Sequence, residues 1–217
     1  MKQMNRKIWS IVLTASAAIF ALLWATLPEK GGSSLDNSIV PLMEGLRGET
    51  MTAVMKAISG IGSTAGLVVA TLLAAVLIGW QISWRQPLLL IGAMAVGYGL
   101  NTAVKHMVDR ARPDEAWGIV ADGASFPSAN AMLGFVLFGM VAVLVASRPE
   151  LRNSFRGFNL AVCIIMIILL GASRLYFQVH YLSDILAGYS AGLAIIAAAN
   201  LLPGGGGSRQ TRKGSYR

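Results

Sequence analysis

Six long apolar runs, divided by short polar stretches, set the pattern of this chain. They fall near residues 8–27, 62–83, 87–108, 128–147, 158–176 and 183–202. Each is close to the ~20 residues that a helix needs to cross a hydrocarbon core of about 30 Å. The pattern predicts an all-α fold, a polytopic membrane protein with six transmembrane helices. The first run has basic flanks, as a signal peptide would. Its length of ~20 apolar residues, with no clean small-x-small site after it, favours a retained helix. Trp80 and Trp84 read as interfacial anchors at the end of the second run.

The longest stretch outside these runs is 28–60. Its first part, "PEKGGSS", reads as a turn. The rest, "LDNSIVPLMEGLRGETMTAVMKAIS", has mixed polarity and predicts one or two short interfacial helices between the first and second spans. The tail "PGGGGSRQTRKGSYR" is Gly-rich and basic and reads as disordered. The expected organisation is one membrane domain over 1–202 and a basic cytoplasmic tail over 203–217. The run "GYSAG" at 188–192 has the small-residue pattern of a helix-packing face, within one chain or between two.

Composition agrees with this pattern. Hydrophobic residues make up 55% of the chain and charged residues 13%, against about 25% charged in a soluble domain. Cys163 is the one cysteine, so no intrachain disulfide can form, and its apolar surroundings mark it as a small buried hydrophobe. Two histidines, His106 and His180, cannot build a His-rich metal site.

A net charge of +8 raises nucleic acid as a partner, but the placement of the charges argues against it. With six spans both termini share a side. That side collects Lys2, Arg6, Lys7, Arg85, Arg148, Arg152, Arg156, Arg209, Arg212, Lys213 and Arg217, with Glu150 as its only acid. By the positive-inside rule it is the cytoplasmic side. The opposite side carries the other nine acids, with Lys30, Arg47, Lys56, Lys105, Arg110, Arg112 and Arg174.

Lys105, Arg112, Arg174, His180 and Asp184 lie at or near helix ends on that outer side. Charge at membrane depth is costly and marks function by default. Several cations around one His suit an anion, and phosphate matches guanidinium geometry. Snorkelling explains any one of these charges alone.

Their spacing resembles the type 2 phosphatidic acid phosphatase superfamily. "KHMVDRARP" matches its first motif, K-x6-R-P, through Lys105, Arg112 and Pro113. "SRLYFQVHYLSD" matches its third, S-R-x5-H-x3-D, through Ser173, Arg174, His180 and Asp184. The second, P-S-G-H, reads "PSAN": Pro127 and Ser128 are kept, Ala129 and Asn130 depart. The resemblance covers roughly residues 35–200.

It implies a lipid phosphatase working without metal or cofactor through a phospho-histidine intermediate. By the resemblance His180 is the nucleophile, with Asp184 as the partner that holds its ring. Lys105, Arg112 and Arg174 bind the phosphate. Ser128, with a hydroxyl and an N–H, and Ala129 join them at the start of a helix, itself an anion site. Asp109, Asp114 and Asp122 read as loop solvation, and His106 as packing or a minor polar contact. The substrates implied are membrane lipid phosphates: polyprenyl diphosphate, phosphatidylglycerol phosphate or phosphatidic acid. The partners are then bilayer lipids and no nucleic acid, and the site faces outward from the cytoplasmic membrane.

Asn130 stands where the family's general-acid His would be. Asn donates a hydrogen bond but gives up no proton near neutral pH, and losing a general acid costs typically ~10²–10⁴-fold. Three readings stay open. The substrate loses a group that needs no proton, as a lipid diphosphate does. Another donor, water or His106, replaces the His. Or the protein binds lipid phosphates with little or no turnover. A channel or small-solute transporter has weak support, because no internal repeat or central broken helix is legible. The six spans argue against a soluble, vanadate-binding haloperoxidase of the same superfamily.

Overall fold

The computed structural model describes residues 6–81, 85–114 and 116–202. Ser83, Trp84 and the tail 203–217, on which expectations above fall, lie outside them. Among the described residues the fold is all-α, with no strand. Its helices are α1 (Arg6–Ala25), α2 (Ser34–Ser38), α3 (Val40–Gly45), α4 (Glu49–Ile61), α5 (Thr64–Gln81), α6 (Arg85–Val108), α7 (Ala129–Ala146), α8 (Asn153–Tyr176) and α9 (Leu182–Leu201).

Five helices, α1, α6, α7, α8 and α9, are each long and apolar enough to cross a membrane. The α4–α5 pair, bent by 63°, makes a sixth if counted as one span. The chain is a multi-pass membrane protein. Large apolar side chains such as Ile11, Leu22, Leu72, Val76 and Leu77 stand exposed on the bundle surface, as a lipid-facing surface requires.

Three expectations change. The stretch 28–60 holds three short helices rather than one or two, because Ile39 and the residues around Gly48 each end one turn and start the next. The fifth span begins at Asn153, five residues before its apolar run, since the polar residues of its first turn are helical too. A broken helix pair is present after all, at the α4–α5 elbow. Its sequence, "SGIGSTAG", permits the bend. A Cβ on Gly66 would run into the carbonyls of Gly60 and Ile61. The Ser63 hydroxyl bridges the two helices, donating to Gly60 O at 2.7 Å and accepting from Gly66 N at 3.1 Å.

The most enclosed spans are α7 and α9, which pack on each other. α1 lies against α9, and α8 against α7. With lipid outside, close backbone approach drives such packing. "GYSAG" supplies it within the chain: a Cβ on Gly188 would sit 2.9 Å from Ser128 O, and one on Gly192 2.9 Å from Met132 O. This contact sets the start of α7 beside the start of α9.

Gly188→Ala is expected to lower the thermal midpoint of the protein in detergent, with a cost of about 1–3 kcal/mol from overpacking. Gly92→Ala, where a Cβ meets nothing within 4 Å, makes the same chemical change and is expected to be neutral or stabilising.

Candidate active site

The last turn of α6, the loop 109–128, the end of α8 and the turn 177–181 meet at one end of the bundle. His180 lies in that turn, and Asp184 is the third residue of α9, where its carboxylate accepts from Tyr181 N at 2.9 Å. Spaced four apart, the two side chains meet: His180 Nδ1 is 3.4 Å from Asp184 Oδ2. His180 is 5% exposed and Asp184 0%.

Burial pushes the His180 imidazole down to about 4, against the hydrogen bond and charge of Asp184, while Arg112 and Arg174 push the same way as burial. The ring is therefore neutral near pH 7. Nδ1 faces a carboxylate, and Nε2 lies 3.2 Å from Arg112 Nη1, which can only donate. The single ring proton then belongs on Nδ1, and Nε2 keeps its lone pair. An imidazole in this form is a nucleophile whose second nitrogen is held.

Arg112 is gripped by carbonyls: Gly123 O at 2.9 Å, Val179 O at 2.7 Å and Asp122 O at 2.9 Å. Gly123 adopts φ 71, a left-handed backbone suited to glycine, so the loop can curl round the guanidinium. Lys105 Nζ donates to Ala124 O of the same loop at 2.8 Å. Arg174 is 8% exposed. It reaches from α8 to α4, donating through Nη1 to Ser59 Oγ at 2.6 Å.

A cavity of about 500 Å³ is lined by Arg112, Arg174 and Asn130 together with Lys56, Ser59 and Ser63 of the elbow. His180 is not among its lining residues, and Arg112 touches both the cavity and the His180 ring.

Other expected residues are less direct. Ser128 caps α7 through its hydroxyl, and its N–H donates to Asp184 O at 3.1 Å. That N–H is therefore engaged with Asp184 rather than free for an anion, because the Gly188 contact draws the two helix starts together. Ala129 is the first residue of α7 and is half-buried. His106 is exposed on α6 rather than packed. Asp109, Asp114 and Asp122 are exposed in the loop.

Sequence reasoning missed Arg110 and Asp36. Arg110 Nη1 binds the second oxygen of Asp184 at 2.6 Å, and Nη2 binds Asp36 Oδ2 at 3.1 Å. Its guanidinium stacks 4.0 Å above the Tyr181 ring. Burial opposes ionisation of Asp36, but hydrogen bonds from Ser183, Ser33 and Arg110 outweigh it and hold the carboxyl below its ordinary range. One buried cation thus lies between two buried carboxylates. The available signal was the S-x-x-D capping pattern of Ser33 and Asp36, which form a capping box.

Removing one member of a buried ion pair typically costs about 3–5 kcal/mol. Arg110→Gln is expected to destabilise the protein by that order, read by denaturant or thermal unfolding in detergent. Adding Asp36→Asn should recover part of the loss, since it removes one of the stranded charges.

Comparison with known proteins follows the same line. Residues 86–204, more than half of the chain, match the model of the PAP2 superfamily. Phosphatidylglycerophosphatase B of Bacillus subtilis is 24% identical over 177 residues, covering 81% of this chain and 87% of that protein. Among solved structures, a transmembrane PAP2-type phosphatidylglycerolphosphate phosphatase from Bacillus subtilis superposes with a TM-score of 0.79 at 22% identity, covering 87% of this chain and 94% of the other. LpxE of Aquifex aeolicus gives 0.57 at 17% identity, over 76% and 96%. These last two likenesses concern the fold. With the family match spanning α6 to α9 and with them Lys105, Arg112, Asn130, Arg174, His180 and Asp184, the chain belongs to the PAP2 superfamily.

Proposed function

We propose that the protein is a membrane lipid phosphatase working through a phospho-histidine on His180, with a preference for lipid diphosphates. One observation carries this reading: a neutral, buried imidazole has Nδ1 on a carboxylate and Nε2 on a guanidinium, beside the last turns of α6 and α8, which bear Lys105 and Arg174. A phosphate bound by Lys105, Arg112 and Arg174 would draw Arg112 off Nε2 onto its own oxygens. The Nε2 lone pair then attacks phosphorus, and the bond to the leaving oxygen breaks with its electron pair on that oxygen. Water next attacks the phospho-histidine, returning the lone pair to Nε2 and releasing phosphate. Asp184 holds the ring proton and faces the positive charge that develops on the ring. The cations face the negative charge on the transferring group.

Asn130 supports the diphosphate preference. It sits in the cavity with Arg112 and Arg174, and no His lines that cavity with it. A lipid diphosphate releases a phosphate monoester, which leaves without a proton, so an amide donor suffices. Phosphatidic acid would release an alkoxide. The named phosphatases among the relatives support a lipid phosphate as substrate. The charge distribution supports the cytoplasmic membrane, with termini inside and the site facing outward. A lipid-phosphate binder without turnover is the second reading, which Asn130 also favours.

A phosphate-release panel in detergent separates them. The phosphatase reading expects faster release from polyprenyl diphosphate than from phosphatidic acid, and none from His180→Ala. Asn130→His should raise monoester turnover, on the order of 10²-fold, with little change for the diphosphate. No release from any form would favour the binder.

The pH dependence gives a second check. Protonating His180 removes its lone pair, so activity falls as pH drops through the folded value. Corrected for ionisation of the substrate, kcat/KM should keep its acid limb near pH 4, well below the ~6.5 of a solvated imidazole.

A further inference from the structure

We infer that the α4–α5 elbow forms a second oxyanion subsite, which takes the phosphoryl group on the leaving side of the scissile bond in a diphosphate ester. The inference rests on the phosphatase reading and gives its diphosphate preference a location. The cavity of about 500 Å³ falls within the ~300–1,000 Å³ range of small-molecule sites. The elbow lines it together with Arg112 and Arg174, the latter bound to Ser59 of the elbow.

Four features of the cavity suit an anion. Lys56 is exposed and has no ion-pair or hydrogen-bond partner among the described residues. It lies one turn before Ser59 on α4, and Ser63 follows in the bend. Asn130, half-buried, likewise spends neither amide atom on a protein partner among the described residues, and its Nδ2 packs so close to the elbow that a Cβ on Gly62 would come within 3.0 Å of it. Ser63 and Thr64 line the cavity where α5 begins, at the positive end of an 18-residue helix. Arg174 is 8% exposed, and its Nε is buried with no hydrogen-bond partner even though Nη1 reaches Ser59. Among the described residues three cations, Lys56, Arg112 and Arg174, line the cavity against one acidic residue, Asp122.

A phosphate monoester held by Lys105, Arg112 and Arg174 in front of His180 makes no use of Lys56, Ser63 or Asn130. A second phosphoryl group, one bridging oxygen further on, would. When His180 attacks the terminal phosphorus, the bridging P–O bond breaks and its electron pair stays on the departing phosphate monoester. Lys56 and the Asn130 amide then face that charge, and no proton need be transferred.

The test is calorimetric titration of the purified full chain in detergent with methylenediphosphonate, a non-hydrolysable diphosphate, and with inorganic phosphate. The wild type should bind the diphosphonate more tightly. Lys56→Gln should weaken diphosphonate binding about tenfold, the scale of a hydrogen bond to a charged group. Phosphate affinity should stay within about twofold by the same measure, and Lys56→Arg should restore the difference. Equal affinities in the wild type, no binding of either ion, an equal loss for both ions, or no loss in Lys56→Gln would each overturn the subsite. Binding is read without turnover, so failure of the phosphatase reading shows separately, as absence of phosphate release from every lipid. Conversely, release from phosphatidic acid unaffected by a failed subsite would leave the phosphatase reading standing.

Discussion

The carboxylate of Asp184 has no exposed surface, and much of the site follows from keeping it charged there. One oxygen meets Arg110 at 2.6 Å, and the other accepts from Tyr181 N and faces His180. A buried charge left alone would cost several kcal/mol, so each of these groups is tied to its position. The backbone of Asp184 also accepts from Ser128 N, which joins the start of α7 to the start of α9. Arg110 in turn carries a second carboxylate, Asp36, and through it ties the 28–48 segment to the turn that bears His180. His180 is thus oriented by segments distant in sequence, on a bundle in which Gly188 and Gly192 let α9 approach α7.

The fold was legible because spans advertise themselves by length and apolarity. The 128–147 run became Ala129–Ala146 with Ser128 and Ser147 as its caps, and 87–108 became Arg85–Val108. The α4–α5 elbow was not, because its first arm, α4, lies in the mixed-polarity stretch that ends where the apolar run begins. Only "SGIGSTAG" signalled it, and its Gly66 acts through a tight backbone approach that hydropathy does not register.

The site was legible in part, for a related reason. Lys105, Arg112, Arg174, His180 and Asp184 were named from motif spacing, and the structure brings their helix ends together. Arg110 and Asp36 stand 74 positions apart, with nothing in either neighbourhood to pair them. By sequence Arg110 is one of the outer-side charges, although it is 8% exposed and holds the Asp184 carboxylate. Lys56 was likewise one cation among seven on that side, and only the fold turns it toward Arg112 and Arg174. Ser128 shows the converse. Its helix-capping role was readable, while the use of its N–H depended on where α9 begins.

The most direct test of this account is a rapid denaturing quench of the protein with polyprenyl diphosphate labelled at the terminal phosphorus. The account predicts a label that survives base, is lost in acid, maps to the peptide containing His180 and is absent in His180→Ala. Turnover with no covalent label, or a label on any residue other than His180, would contradict it.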